Sequence, residues 1–217
     1  DVMNGGEGSD QYIISAITEH TAAEIADSGA SGTDELRFTS ATASTLTLYA
    51  GDTGLELVTI GTGTGALAVT TGTTALNVNA SAVLNGLILQ GNDGANTLTG
   101  TAYADTILGG GGNDSLSGNA GDDTLTGGLG IDTFNITAGT DSITDLGQGG
   151  ADVLKVSAGA TANAAIHTAW TATSATTNAG VVNIATNGAA VSLAAVLTGT
   201  GFNVTNTAGG AALTGSG

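Results

Sequence analysis

From Gly91 to Thr144 the chain repeats itself every nine residues, and this period constrains the fold more than any other feature. Acidic or amide residues stand at Asn96, Asp105, Asp114, Asp123, Asp132 and Asp141. Two places after each comes an apolar residue: Leu98, Ile107, Leu116, Leu125, Phe134 and Ile143. Five places before the first five polar residues stand Gly91, Gly100, Gly109, Gly118 and Gly127. Two places before each polar residue the chain has Gly94, Tyr103, Gly112, Gly121, Gly130 and Gly139. Columns in phase at a short fixed period call for stacked, nearly identical units. Each nonapeptide reads as a glycine turn followed by a short strand. The glycines permit positive φ, and Asp123-Thr124-Leu125-Thr126 alternates polar and apolar like a half-buried strand. Strands stacked in parallel lie about 4.8 Å apart. If nine residues make half a coil, Leu116 faces Leu125 and stacks over Leu98 and Phe134.

That stacking creates an electrostatic problem. Asp105 lies over Asp123 on one edge of the coil, and Asp114 over Asp132 on the other. Stacked carboxylates repel by roughly 1 kcal/mol per pair in water, and by more near a protein surface. No Lys or Arg falls in this stretch, and the whole chain has 2 basic against 19 acidic residues, a net charge of −17. A hard divalent cation bound by carboxylate and backbone carbonyl oxygens resolves the conflict, and calcium suits such a site better than magnesium, which demands a tighter octahedron. The alternative is a metal-free Asp ladder. Neighbouring strand residues point to opposite faces, so Asp123 is expected as a ligand and Asp122 as a solvated residue.

The balance of charge also excludes functions. Two basic residues cannot build a nucleic-acid surface, and no apolar run reaches the roughly 18 residues of a membrane-spanning helix. With no cysteine there are no disulfides, zinc thiolates or thiol nucleophiles. No G-x-S-x-G elbow occurs. His20 and Glu24 read as a surface pair on a helix, and Trp170 with Ile166 as a hydrophobic plug. The chain is expected not to be an enzyme.

The nonapeptide resembles the RTX repeat, G-G-x-G-x-D-x-U-x, of calcium-binding parallel β-rolls. The residues from Gly127 to Asn135 match it at every fixed position, as do those from Gly109 to Ser117. The Gly118 repeat has Asn119 for the second glycine, the Gly91 repeat has Asn92 and Asn96, and the Gly100 repeat has Thr101 and Tyr103. Asp1 to Ile14 aligns with Asp123 to Ile136 at an offset of 122 and repeats the motif through Gly5, Gly6, Gly8 and Asp10. The resemblance implies several calcium ions, each held between turns 18 residues apart. The implied ligands are Asp10, Asp105, Asp114, Asp123, Asp132 and Asp141, with turn residues Gly5, Gly6, Gly8, Gly109, Gly110, Gly112, Asn119, Gly121, Gly127, Gly128 and Gly130. Asp1, Asn96 and Gly139 are secondary candidates.

Gly32-Thr33-Asp34-Glu35-Leu36-Arg37-Phe38 resembles Gly150-Ala151-Asp152-Val153-Leu154-Lys155-Val156. Two organisations stand: a tandem unit of about 120 residues, or one domain with arrays at its edges. Between arrays, Leu46/Leu48, Leu55/Leu57, Leu67/Val69, Leu76/Val78 and Leu87/Leu89 read as metal-free parallel coils, as do Val182/Ile184, Val191/Leu193 and Phe202/Val204. Residues 15–28 and 160–173 are the helix candidates. The expected fold is all-β, a parallel β-roll or β-solenoid with calcium-binding nonapeptide turns and short helical interruptions. Its segments are 1–14 (the end of a first array), 15–90 (connecting solenoid), 91–145 (calcium β-roll) and 146–217 (a second connecting solenoid).

Among RTX proteins, this Thr/Gly/Ala-rich, cysteine-free composition is similar to that of surface-layer proteins. The resemblance implies type I secretion and a bacterial extracellular or cell-surface location. The expected function is a structural calcium-binding repeat that assembles with copies of itself into a layer, filament or matrix. Cell-surface polysaccharide is a second candidate partner. A spacer in a surface adhesin, or the non-catalytic tail of a secreted hydrolase, are the alternatives.

Overall fold

A computed structural model describes residues 2–29, 31–63, 67–196, 201–206, 208 and 212–215. Ten parallel strands form one sheet, in the order 11–14, 35–38, 57–60, 88–90, 106–111, 124–129, 140–143, 161–165, 181–185 and 202–205. Seven more, from 44–47 through 76–79, 97–99, 115–117, 133–136 and 153–156 to 177–178, form the opposing sheet. A third sheet of three two-residue strands, 170–171, 191–192 and 213–214, extends the stack. From strand 44–47 to strand 161–165 the chain alternates between the two large sheets, and each neighbouring strand is the next coil of the same solenoid.

The nine-residue reading of the core holds. Leu98 pairs with Leu116 and Leu116 with Phe134 on one sheet, while Ile107 pairs with Leu125 and Leu125 with Ile143 on the other. All six are completely buried. Small apolar residues suit this thin interior, because two opposed sheets of short coils leave little depth between their faces. Burial of the apolar columns drives the stacking, at roughly 25 cal/mol per Å² of apolar surface removed from water.

Elsewhere the structure departs from the sequence expectations. Residues 15–28 contain a single 3₁₀ turn, Ile17–Glu19. Residues 160–173 form the strands Thr161–Ala165 and Trp170–Thr171 rather than a helix. In the former, Ala162 and Ala164 point inward with period two and are buried, so the alanines serve as small core residues. Trp170 and Ile166 do plug the interior, and the Trp170 Nε1–H donates to the Asp152 carbonyl at 3.0 Å. Leu67 and Val69 do not form an inward coil, for both are exposed. They belong to a loop in which Thr62 pairs with Val69 in an antiparallel bridge. The loop's Gly63 carbonyl accepts from the Arg37 guanidinium at 2.7 Å. Arg37 is fully buried and also pairs with Glu35 at 2.6 Å. His20 is not on a surface helix: it is buried, its Nε2 lies 2.9 Å from Asp52 Oδ2, and its Nδ1 lies 3.5 Å from Glu24.

Candidate metal centre

The nonapeptide turns set the Asp column along the two edges of the coil. Each Asp is the last residue of a turn, where the chain enters the next strand. From Asp105 to Asp132 its side chain turns back into the loop, toward the first glycine of its own repeat, whereas Asp141 lies within the strand Thr140–Ile143 and has Ile136 in place of that glycine. At Gly118 a Cβ would lie 1.8 Å from Asp123 Oδ2, and at Gly127 one would lie 2.3 Å from Asp132 Oδ2. Glycine is required there because the carboxylate fills the space a side chain would take. Later in the turn the backbone enters the left-handed region: φ is 99° at Gly128 and 128° at Gly130. Asn119 replaces the second glycine at φ 77°, a conformation in which asparagine is among the best-tolerated side chains.

Within the column, each carboxylate holds the coil before it. Asp114 Oδ1 accepts from the Asn96 N–H at 2.7 Å, and Asp132 Oδ1 from the Asp114 N–H at 2.8 Å. On the other edge Asp123 Oδ1 accepts from the Asp105 N–H at 2.9 Å, and Asp141 Oδ1 from the Asp123 N–H at 3.1 Å. The second oxygens are different. Oδ2 of Asp114, Asp123, Asp132 and Asp141, together with Asp10 Oδ2, are buried without a hydrogen-bond partner. Leaving a charged oxygen in this state costs several kcal/mol unless the group is neutralised or paired. Burial accordingly pushes Asp114 and Asp141 up to about 7, and Asp123 and Asp132 up to about 6. Neighbouring charge adds to this, from Asp132 on Asp114 and from Asp123 on Asp141.

The first two turns of the array have no orphaned oxygen. Asp105 Oδ2 accepts from the Thr101 N–H at 2.6 Å, the Thr101 hydroxyl lies 3.1 Å from both carboxylate oxygens, and the Leu87 N–H donates to Oδ1 at 2.7 Å. Asn96 donates to the Leu76 carbonyl and to Asn92 Oδ1, and accepts from the Asn92 N–H at 2.9 Å. No residue from Gly91 to Asp105 has positive φ, so Asn92, Thr101 and Tyr103 fit where the later turns need glycine or Asn119.

Two further rungs lie off the nine-residue period. Asp152 Oδ1 accepts from the Asp132 N–H at 2.9 Å, and Asp34 Oδ1 from the Asp10 N–H at 2.8 Å. They fall 20 and 24 residues after the rungs they follow, off the period. The matched segments around Asp34 and Asp152 were the available signal. Asp152 Oδ2 accepts from the Gly147 N–H at 2.7 Å, so this rung too is satisfied within the protein. Asp122 is exposed and accepts from the Thr140 N–H at 2.9 Å, whereas Asp123 is buried. Gly139 has φ 83° beside the Gly121 carbonyl, and Gly5 and Gly8 belong to the turn of Asp10. Asp1 lies outside the described residues.

The chemistry of the donor set fits a hard cation: buried carboxylate oxygens without partners, glycine turns stacked so that their carbonyls meet the next coil, and no basic side chain in the array. The model of the RTX calcium-binding nonapeptide repeat, four copies long, matches residues 90–125 and, one repeat later, 99–134. No curated protein matches the chain, and no solved structure does. Residues 90–134 are an array of RTX calcium-binding nonapeptide repeats.

Proposed function

We propose that this chain is a calcium-dependent structural segment of a secreted bacterial protein, which stacks with copies of itself into an extracellular layer or filament. The observation that carries the metal reading is the set of buried, partnerless Oδ2 atoms on Asp10, Asp114, Asp123, Asp132 and Asp141. These oxygens and the carbonyls of the glycine turns would hold the ions. Bound calcium supplies the positive charge that lets the stacked carboxylates ionise together. Asn96 and Asp105, already satisfied by their neighbours, take none in this reading.

Calcium is scarce inside cells and abundant outside them. A column that repels itself without cations favours an unfolded chain before export and a folded one after it, because binding free energy becomes folding free energy. The surfaces favour a structural role. Outward residues of the long sheet, such as Thr106, Thr124, Ser142, Asn163, Asn183 and Asn203, are uncharged. Copies carrying −17 each meet with least repulsion on such faces.

Far-ultraviolet circular dichroism of the full chain tests the metal reading. Chelation at neutral pH should remove a large part of the β-sheet signal, and calcium, not magnesium, should restore it. A spectrum indifferent to chelator would overturn it. Electron microscopy with calcium should show layers or filaments; dispersed single particles at all concentrations would overturn the assembly.

A further inference from the structure

Two carboxylates outside the Asp column make the same unusual contact. Asp145 Oδ1 accepts from the Gly127 N–H at 3.0 Å and Asp145 Oδ2 from the Gly128 N–H at 2.8 Å. Asp27 Oδ1 accepts from the Gly5 N–H at 2.9 Å and the Gly6 N–H at 2.8 Å, and from the Tyr12 hydroxyl at 3.0 Å. Both acids are buried, 6% and 8% exposed. In the first two repeats the first of the corresponding amides uses the backbone, Gly91 N–H donating to the Leu108 carbonyl and Gly100 N–H to the Ser117 carbonyl, both at 2.8 Å, and the second donates to the rung of its own repeat, Asn92 N–H to Asn96 Oδ1 at 2.9 Å and Thr101 N–H to Asp105 Oδ2 at 2.6 Å. The chain around each acid is equivalent. Thr144 N–H donates to the Leu125 carbonyl just before Asp145, and Ala26 N–H to the Met3 carbonyl just before Asp27, both at 3.0 Å. Asp152 then accepts from Asp132 as Asp34 accepts from Asp10.

We infer that Asp145 and Asp27 are terminators of the metal column: each closes the last Gly-Gly turn of its array with a carboxylate, in place of a further coil of the repeat. This rests on the calcium reading of the array. Asp145 stands one coil, 18 residues, after Gly127, where another repeat would bring another glycine. Here the strand Thr140–Ile143 has ended and the backbone leaves the ladder. Two adjacent amides facing one way form an anion-binding concavity, and without an acceptor they would be left unpaired where the nonapeptide array ends. The carboxylate fills the concavity with charge-assisted hydrogen bonds. It thereby holds the last turn in its metal-binding shape without a cation on the far side. Asp145 and Asp27 are positioning residues, acting on the Asp132 and Asp10 sites through the turn backbone.

The test is amide hydrogen exchange resolved by residue, with calcium titration, on the full calcium-loaded chain. In Asp145→Ala, the Gly127 and Gly128 amides should exchange about ten- to a hundredfold faster, the loss expected for hydrogen bonds to a charged acceptor. Gly109 and Gly110 should keep their rates. One calcium of the set should bind about tenfold more weakly and the others unchanged. Asp27→Ala should act in the same way on Gly5 and Gly6, and also on Gly29, whose N–H donates to Asp27 Oδ2 at 2.9 Å. Wild-type rates at Gly127 and Gly128, or equal acceleration at Gly109 and Gly110, would overturn the inference. If Asp145→Ala does not fold, Asp145→Asn keeps one carbonyl acceptor and should deprotect one of the two amides and spare the other; no change at either overturns the inference. A wild-type chain that binds no calcium, yet protects Gly127 and Gly128 until Asp145 is replaced, would overturn the metal reading and leave the caps standing.

Discussion

The coils between Thr106 and Ile143 and those between Thr161 and Thr205 stack in the same way but close their turns differently. In the first region the register advances by 18 residues, as from Thr106 to Thr124 and from Ser115 to Thr133. In the second it advances by 20, as from Thr161 to Val181 and from Val182 to Phe202. The longer coils serve their turns with amide side chains. Asn206 Oδ1 accepts from the Thr186 hydroxyl at 2.9 Å and the Gly188 N–H at 3.0 Å. Asn183 donates to Asn163 at 2.8 Å and Asn203 to Asn183 at 2.9 Å along the outer face. The shortest coil saves two residues but has no side chain in the turn to serve the second oxygen of its carboxylate, which is the place of the proposed ion. The Gly100 turn sits between these cases: at 18-residue spacing it serves its carboxylate with Thr101.

The sharpest way to break this contrast is Gly118→Ala. Its Cβ would meet the Asp123 carboxylate, so the turn must distort at a cost of about 1–3 kcal/mol, and thermal unfolding with calcium should show a correspondingly lower midpoint. An unchanged midpoint would mean the carboxylate does not point into the loop. Next in size, Asp123→Ala should weaken calcium binding by roughly tenfold or more, whereas Asp122→Ala should change it by less than about threefold. Isothermal titration that finds equal effects would place the register wrong.

A pH series separates the two regions further. Burial lifts Asp114, Asp123, Asp132 and Asp141 to about 6–7 in the metal-free protein, against about 3.9 in an unfolded chain. Their contribution is therefore fully present below about pH 4 and is lost as pH rises through 6 to 7. In chelator the melting temperature should fall across that window. With calcium the trend reverses, because protons compete for the same oxygens. A flat or rising profile in chelator would remove the basis for the metal-dependent region. The smallest effect is expected at Asn183→Ala, on the exposed amide ladder: about 0.5–1.5 kcal/mol of stability and no change in calcium affinity. A shift in calcium affinity there would show that the 20-residue coils are coupled to the array.

Much of this was legible in the sequence because thin coils force like residues to stack. The core column from Leu98 to Ile143 and the Asp column follow from the period alone. What the period cannot say is which rungs lack partners. Asp105 and Asp123 occupy the same column, and only the conformation of Thr101 separates a satisfied carboxylate from an orphaned one. The alanines of 160–173 fit a helix or a thin strand equally well by composition, and burial against the opposing sheet decided for the strand. Asp52 beside His20, and the loop over Arg37, depend on contacts 32 and 26 residues apart, in a stretch with no period to align them. Asp27 and Asp145 were hidden for a related reason. Their offset is 118, four short of the 122 that aligns the glycines they serve.

The two capped units do not lie on the same side of the molecule. Tyr12 and Leu36 pair within the ten-stranded sheet, while their counterparts Phe134 and Leu154 pair within the seven-stranded one. One motif is thus displayed twice, half a revolution apart about the long axis. The equivalent features of the two units therefore face opposite sheets of one stack.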